Sequence, residues 1–187
     1  MKKFFAGAAV LAAMLGGASA ALAQKATDSG LIYGFSGGLT IPNGTLGDIN
    51  GTGLNLQAHA TLKPSSIPFA LRGDLGLFTT SGKTLPGTGS TAGPKYSGAT
   101  FFTLNANGVY NFEGAKDATF VPYVIGGAGL YAANGGRGTK FGINAGGGVT
   151  FKLSGFDAFA EARIHNIFSD GYSSRLIPIS FGIMFKP

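Results

Sequence analysis

The chain has 187 residues, of which 44% are hydrophobic, 12% are charged and none is cysteine. This length suits a single domain, and the lack of cysteine excludes both a disulfide framework and a lipobox for acylation. The formal net charge is +6, but the basic residues are scattered singly, so the sequence gives no support to nucleic-acid binding.

The N-terminus has the three parts of a secretory signal peptide. Lys2 and Lys3 form a basic start, Phe4–Leu15 is apolar, and Ala21–Ala23 supplies a small-x-small cleavage site. We therefore predict a cleaved signal peptide at residues 1–23. The alternative, an uncleaved anchor, is disfavoured because the apolar stretch is short for a transmembrane helix and has no charged stop-transfer flank.

Eight segments of the mature region, residues 24–187, alternate apolar and polar residues with a period of two, which predicts β-strands. Each segment has about the 9–11 residues that a tilted strand needs to cross a bilayer. No segment sustains an apolar period of 3.6, so we expect no helices. The fifth segment is ambiguous in phase, and we assign its tyrosines to the outer face. The predicted apolar faces, strand by strand, are Tyr33, Phe35, Leu39 and Ile41; Leu54, Leu56, Ala58, Ala60 and Leu62; Phe69, Leu71, Leu75 and Leu77; Phe102, Leu104, Ala106, Tyr110 and Phe112; Tyr123, Ile125 and Tyr131; Phe141, Ile143, Ala145, Val149, Phe151 and Leu153; Ala160, Ala162 and Ile164; and Ile177, Ile179, Phe181, Ile183 and Phe185.

The connections between these segments differ in length on the two sides. Outer-membrane barrels have an even number of strands, short periplasmic turns and longer outer loops. The sequence follows this asymmetry, although the link near 134–138 is too short to distinguish an outer loop from a periplasmic turn. The predicted short turns are near 64–68, 113–118 and 154–156, and the predicted outer loops are 42–52, 80–97, 134–138 and 169–174.

Glycine is unusually abundant, at 33 of 187 residues. The runs Gly126–Gly129 and Gly146–Gly148 lie within predicted strands and lack the strand-to-helix context of a phosphate-binding loop. The interior of an eight-stranded barrel is just wide enough for side chains to fill it. We therefore expect these glycines to relieve crowding or to permit strand bending.

Three local motifs accompany the alternating pattern. Val121–Leu130 is a glycine-rich strand with a Pro-Tyr pair, Ala160–Arg163 contains a Glu-x-Arg pair, and an alternating apolar strand ends at Phe185. In these motifs, and over nearly the whole mature chain, the sequence resembles the small outer-membrane β-barrel proteins of the OmpA/OmpX-like superfamily. The resemblance implies an all-β fold: an eight-stranded antiparallel up-and-down transmembrane β-barrel.

The same resemblance implies that the last strand is the signal read by the barrel assembly machinery. In that signal an aromatic residue normally ends the chain, whereas here Lys186 and Pro187 follow it. The residues of this predicted assembly signal are Ile179, Phe181, Ile183 and Phe185.

Charged residues cluster on the polar faces of two predicted strands. Arg72 and Asp74 share one such face, and Glu161, Arg163 and His165 share another. A charge inside a barrel needs a partner, so we predict an interior network of ion pairs among these five residues. The alternative is an ion-conducting lumen, as in a small porin, because a polar lumen with water gaps conducts.

Eight-stranded outer-membrane barrels include lipid A acyl hydrolases, and Glu161, His165 and Ser169 are the residues that could form an acyl-transfer set. Four residues along a strand span about 13 Å, far beyond the roughly 3 Å of a hydrogen bond. The known hydrolase pattern places serine two residues after histidine, where this chain has Ile167, and a partner such as Ser180 or Asn144 would be coincidental. We therefore predict no catalytic residues.

No metal or cofactor site is predicted either. The chain has two histidines and no cysteine, so no ligand set can be assembled from spacing. We interpret His59 as a hydrogen-bonding residue of the lumen.

A soluble, exported barrel that holds a small ligand is the remaining alternative. Charged residues are about half as frequent as in average soluble domains, and the polar faces carry Asn, Thr and Gly instead of Lys and Glu. Aromatic residues also lie toward strand ends, where the interfacial girdles of a membrane barrel belong. These predicted girdle residues are Tyr33, Phe69, Phe112, Tyr123, Tyr131, Phe141 and Phe151.

The sequence therefore predicts an integral outer-membrane barrel with periplasmic termini, a largely plugged lumen, and a structural, envelope-integrity or surface-interaction role. Its expected partners are outer-membrane lipid, the export and barrel assembly machinery, and a surface ligand at loop 80–97. The oligomeric state is left open.

Overall fold

The computed structural model describes residues 30–87, 93–112, 118–135, 138–169 and 172–185. The predicted signal peptide, residues 1–23, lies outside these ranges, as do Lys186 and Pro187.

Eight long antiparallel strands form one closed barrel, in which each strand pairs with its neighbours in sequence and the last pairs with the first. This arrangement confirms the predicted up-and-down fold. The strands are β1 Leu31–Asn43, β2 Gly53–Leu62, β3 Ala70–Thr79, β4 Thr100–Asn111, β5 Phe120–Ala133, β6 Thr139–Lys152, β7 Asp157–Ser169 and β8 Tyr172–Phe185.

The closing pair, β1 with β8, runs in continuous register from Tyr33 opposite Phe185 to Asn43 opposite Arg175. Closure leaves none of the eight long strands with an unpaired edge, which satisfies backbone hydrogen bonds that lipid cannot satisfy. Both ends of the barrel sequence therefore lie at one end of the barrel, here called the termini end. The opposite end, which carries 44–52 and 80–99, is the loop end.

The inner and outer faces of the barrel have the opposite polarity to those of a soluble protein. On β2, Leu56 is 64% exposed, whereas its neighbour Gln57 is 4% exposed. Because successive side chains of a strand point to opposite faces, the apolar row lies outside and the polar row fills the interior. This arrangement contradicts the soluble ligand-binding alternative.

The predicted phase of the fifth strand was wrong. Tyr123, Ile125 and Tyr131 are 5%, 3% and 1% exposed and point into the barrel, whereas Phe120 and Val124 face outward. Tyr123 and Tyr131 are therefore not girdle residues. A buried tyrosine hydroxyl needs a hydrogen-bond partner, and the polar interior supplies one where lipid does not.

The expectation of no helices was also wrong, by one turn. Helix α1, Thr45–Ile49, lies in the first loop at the loop end, and its Leu46 is buried. A single turn is too short to show an apolar period, so its formation depends on tertiary contacts. Next to it, the two-residue strands Asn50–Gly51 and Ser81–Gly82 pair outside the barrel. In the described part of the chain, no helix has the length and apolar character to span a membrane.

Candidate functional site

The centre of the barrel holds four charged side chains in a closed ring of ion pairs. Arg72 lies 2.7 Å from Asp74 and 2.9 Å from Glu161, measured between nitrogen and oxygen atoms. Arg163 lies 2.8 Å from Asp74 and 2.9 Å from Glu161. Two positive and two negative charges alternate around this ring, so its formal charge is zero. We call these four residues the ion-pair ring.

The ion-pair ring crosses the barrel from wall to wall. Arg72 and Asp74 come from β3, whereas Glu161 and Arg163 come from β7. In the order of the eight strands, β3 and β7 are four positions apart, on opposite sides of the barrel. Contacts between them therefore occupy the middle of the lumen.

Neighbouring polar groups make further hydrogen bonds to the ring. Tyr123 Oη donates to Glu161 Oε2 at 2.8 Å, and Asn107 Nδ2 donates to Asp74 Oδ2 at 2.8 Å. Arg163 Nη2 donates to Gln57 Oε1 at 2.9 Å. Buried ion pairs offset their desolvation cost only when such additional hydrogen bonds are made.

The network continues to the barrel seam. Gln57 Nε2 donates to Ser180 Oγ at 3.3 Å, and Ser180 Oγ donates to Asn55 Oδ1 at 2.9 Å. Asn55 Nδ2 then donates to the carbonyl oxygen of Leu39 at 2.8 Å. On the other side, Asn144 Nδ2 donates to Asn107 Oδ1 at 2.9 Å. Together with the ring, these bonds connect groups on all eight strands.

His165, the fifth residue of the predicted charge network, lies in an adjacent cluster instead of the ring. Tyr131 Oη donates to Asn105 Oδ1 at 2.8 Å and lies 2.7 Å from His165 Nδ1. The His165 ring also lies 5.3 Å from the Phe78 ring, between centroids.

Cavities lie at both ends of the lumen. One of about 220 Å³ at the termini end is lined by Arg72 and Tyr123, among others. One of about 210 Å³ at the loop end is lined by Tyr131 and Ile167, among others. The two cavities share no lining residue, and the ion-pair ring lies between them.

The structure does not assemble the acyl-transfer set. The Glu161 carboxylate contacts Arg72, Arg163 and Tyr123, and His165 contacts Tyr131. Ser169 lines the loop-end cavity. The two alternative partners from other strands do not complete the set either. Ser180 hydrogen-bonds to Asn55, and Asn144 hydrogen-bonds to Asn107.

His59 lies in an aromatic setting on the termini side of the lumen. Its ring centroid is 5.3 Å from that of Phe159, and the Arg72 guanidinium carbon lies 5.6 Å from the same Phe159 ring. No hydrogen bond to either nitrogen of His59 is present among the described residues, so the expected hydrogen-bonding role is not seen there. The described residues also contain no group of three or more His, Cys, Asp or Glu side chains placed to hold a metal ion.

The outer surface is a belt of large apolar side chains. Phe35, Leu54, Leu56 and Phe181 are each more than 60% exposed. Aromatic pairs lie at both margins of the belt. At the termini end, the ring centroids of Phe120 and Phe151 are 5.5 Å apart, and at the loop end those of Phe141 and Phe168 are 6.2 Å apart. An apolar band flanked by aromatic residues is the surface that a membrane barrel presents to lipid. The predicted girdle residues Phe69, Phe112, Phe141 and Phe151 are exposed on it, and Tyr33 is half-buried.

Sequence reasoning missed Tyr123, Asn107 and Gln57 as partners of the ion-pair ring. Asn107 and Gln57 stand on polar faces that the alternation did identify, but tyrosine suits lipid interfaces and polar interiors equally. Val121, Tyr123 and Ile125 alternate with outward residues and could have shown that Tyr123 points inward. The glycines that follow carry no side chain, so this alternation cannot be followed along the strand.

Two solved structures of outer-membrane barrels share this fold. The chain is similar to neisserial surface protein A, with 18% identity, a TM-score of 0.61, and 85% of this chain and 98% of that chain covered. It is also similar to the outer membrane protein OprG from Pseudomonas aeruginosa, with 12% identity, a TM-score of 0.51, and coverage of 85% and 98%.

The outer membrane enzyme PagL also aligns, with 15% identity and coverage of 84% and 99%, but its TM-score of 0.48 is too low to bear on activity. No protein-family model matches the sequence, and no curated protein matches it. The predicted resemblance is confirmed at the level of fold. The chain has the closed eight-stranded β-barrel fold of the small outer-membrane proteins.

Proposed function

We propose that this protein resides in the outer membrane as a closed, non-conducting barrel with a structural, envelope-integrity or surface-interaction role. The observation that carries the proposal is the ion-pair ring. Four charged side chains from opposite walls meet in the lumen, and each is at most 4% exposed. A conducting pore requires a continuous water path, and the ring occupies that path.

A planar bilayer measurement tests the closed lumen. Purified barrel inserted into the bilayer in molar potassium chloride is expected to give no discrete conductance steps. Insertion is verified independently by migration on an unboiled gel, in which a folded barrel runs differently from the heated chain. Reproducible steps from verified barrels would overturn the closed-lumen proposal in favour of a small porin.

The termini end is assigned to the periplasm. Its connections, 63–69, 112–119 and 153–156, are short, whereas the loop end carries the two longest, 44–52 and 80–99. The loop end also has two short links, 134–138 and 170–171. The predicted outer loop 169–174 was therefore wrong, because β7 extends to Ser169 and β8 begins at Tyr172. Short periplasmic turns and longer outer loops are the rule for bacterial outer-membrane barrels. The assignment rests on this general rule and on the resemblance of the sequence.

Because the chain has no cysteine, single introduced cysteines report orientation without background. Lys95→Cys, at the loop end, is expected to react in intact cells with a maleimide that does not cross membranes. Ser154→Cys, in the turn between β6 and β7, is expected to react only after the outer membrane is permeabilised. The reverse pattern would invert the assigned orientation.

No catalytic activity is assigned to this barrel. The support is geometric, because the hydrogen-bonding groups of Glu161 and His165 are directed to different partners and neither contacts Ser169 among the described contacts. Release of fatty acid from lipid A by purified barrel, lost on Ser169→Ala, would contradict this assignment.

Surface contacts are assigned to the loop end. There the described arms of loop 80–97 are held by backbone hydrogen bonds, from Tyr96 N to the Lys83 carbonyl at 2.8 Å and from Leu85 N to the Pro94 carbonyl at 3.0 Å. These bonds hold two arms of the loop against each other beyond the barrel, where a surface partner has access. The last strand is assigned as the assembly signal, because Ile179, Phe181, Ile183 and Phe185 all face outward.

A further inference from the structure

The loop end contains a cavity that neither the ion-pair ring nor the membrane belt explains. Its volume is about 210 Å³, and its apolar walls are Leu46, Ile49, Phe101, Ala133 and Ile167. Leu46, Phe101 and Ile167 also belong to one buried apolar cluster with Phe78 and Leu176. The lumen is therefore apolar at this end, in contrast to its polar centre.

The helix that covers this cavity is held in place by specific bonds. Lys83 Nζ donates to the Gly47 carbonyl at 2.6 Å, and Lys83 N donates to the Ile49 carbonyl at 3.1 Å. Beside the helix, Asn50 Nδ2 donates to the carbonyl oxygens of Ser81 and Ser97, at 3.2 and 3.1 Å. The first and second loops thus form one bonded cap above the cavity.

A cavity with mostly apolar walls has a chemical preference. Apolar cavities of comparable size bind small aromatic molecules. The mouth of a β-barrel is a common position for a ligand site, although drug-sized ligands need at least about 300 Å³. The volume here therefore selects a molecule of roughly one aromatic ring.

Polar groups also line the cavity. The hydroxyl-bearing residues Thr45, Ser169 and Ser174 are among them, and so is Lys140. The rings of Phe101 and Tyr131 line it as well, and aromatic rings pack favourably against one another in edge-to-face or offset geometry. We propose that this cavity binds a small uncharged aromatic molecule that carries one hydroxyl group, with the ring between α1 and the barrel wall.

Methyl NMR of the complete barrel in lipid nanodiscs, titrated with p-cresol, tests the proposal. The methyl signals of Leu46, Ile49 and Ile167 are expected to shift and to saturate. Ile164 and Ile183 face lipid, so their signals report partition of p-cresol into the bilayer and are expected to shift without saturation. Uniform, non-saturating shifts at all five residues would mean partition only and would overturn the proposal.

Two adjacent alanines provide a matched pair of variants. Ala133 lines the cavity, whereas Ala132 pairs with the lipid-facing Phe102 on the outer surface. Ala133→Leu is expected to abolish saturable binding by filling the cavity, and Ala132→Leu is expected to leave it unchanged. Equal binding by the two variants would contradict the assigned position.

A third variant covers the case in which Ala133→Leu does not fold. Leu46→Ala changes the cap and leaves the barrel wall intact, so the strand signals are expected to persist. Its affinity for p-cresol is expected to fall about tenfold or more, the effect of removing a few methylene-sized groups from an apolar pocket. Unchanged affinity in this variant would show that α1 does not form part of the site and would overturn the proposal.

Discussion

Gly148 lies directly opposite Tyr123 across strands β6 and β5, and the tyrosine ring occupies the space that a side chain at position 148 would need. Gly34 opposite His59 and Gly182 opposite Phe159 repeat this relationship on other strand pairs. An eight-stranded barrel has little interior volume, and in these three pairs the glycine leaves room for the large inward side chain across from it. Part of the abundance of glycine in strands follows from such pairs.

Gly148→Ala is expected to destabilise the barrel. The added Cβ would lie 2.5 Å from Tyr123 Oη and also close to the Ala160 carbonyl oxygen. Overpacking of this kind typically costs about 1–3 kcal/mol of the free energy of unfolding. Urea unfolding in lipid vesicles measures the loss. Gly73→Ala is the control, since a Cβ there meets no atom within 4 Å. Equal stability of the two variants would show that the Tyr123 ring moves aside without cost.

Arg163→Gln is expected to be among the most damaging single changes. It leaves Asp74 and Glu161 buried with one guanidinium between them. Removing one partner of a buried ion pair lowers the free energy of unfolding by about 3–5 kcal/mol. Discrete conductance steps are expected in a planar bilayer as the lumen loosens. Arg175→Gln is the matched control, because Arg175 is exposed and bonds Asn166 at 3.3 Å.

The double variant Arg163→Gln with Glu161→Gln restores the charge balance of the lumen, because Arg72 and Asp74 remain as a pair. It is expected to unfold at a higher urea concentration than Arg163→Gln alone. A double variant that is less stable than the single one would mean that packing, and not charge, dominates at this position.

A charge on the outer belt is expected to have a depth-dependent cost. Leu104 lies near the middle of β4 and is 55% exposed, and Arg at the midplane of the lipid face costs about 2–4 kcal/mol. Leu62 faces outward at the end of β2, where the same substitution costs about 0–1 kcal/mol. Leu104→Arg and Leu62→Arg are compared by unfolding in lipid vesicles. A barrel equally tolerant of both changes would not have its belt in lipid.

Phe185→Ala is expected to slow assembly more than it lowers stability. Its side chain is 43% exposed at the end of the last strand, so little packing is lost. The measurement is the fraction of heat-modifiable barrel recovered from the outer membrane over time after induction. Phe151→Ala removes a 38% exposed aromatic from the same margin of the belt and serves as the control. Identical assembly of the two variants would argue against the terminal strand as an assembly signal.

Most of the fold could be predicted from the sequence because β-alternation has a fixed period. Asn55 and Gln57 identify the inner face of β2 without any knowledge of its neighbours. The phase of β5 could not be read in this way, since Tyr123 is compatible with either face and the glycines after it carry no side chain. Helix α1 was missed because it depends on burial of Leu46 among residues distant in sequence.

Part of the candidate site could be predicted from the sequence because of the barrel topology. Arg72 and Asp74 on the third strand must face Glu161 and Arg163 on the seventh once eight strands close, because these strands are then opposite. The remaining partners, Gln57, Asn107 and Tyr123, are selected by side-chain rotamers at the centre of the lumen. His165 shares a face with Glu161 and Arg163 but lies one layer nearer the loop end, with Tyr131, and spacing alone does not separate these layers.

The closing register of Tyr33 with Phe185 has a consequence for the time at which the barrel can form. The chain is made from its N-terminus, so β1 can obtain its second neighbour only after β8 has been synthesised. Until then β1 presents an unpaired edge and the apolar belt has no lipid around it, and both features favour aggregation. Folding is therefore necessarily post-translational, and a nascent chain of this protein needs protection throughout its passage to the membrane.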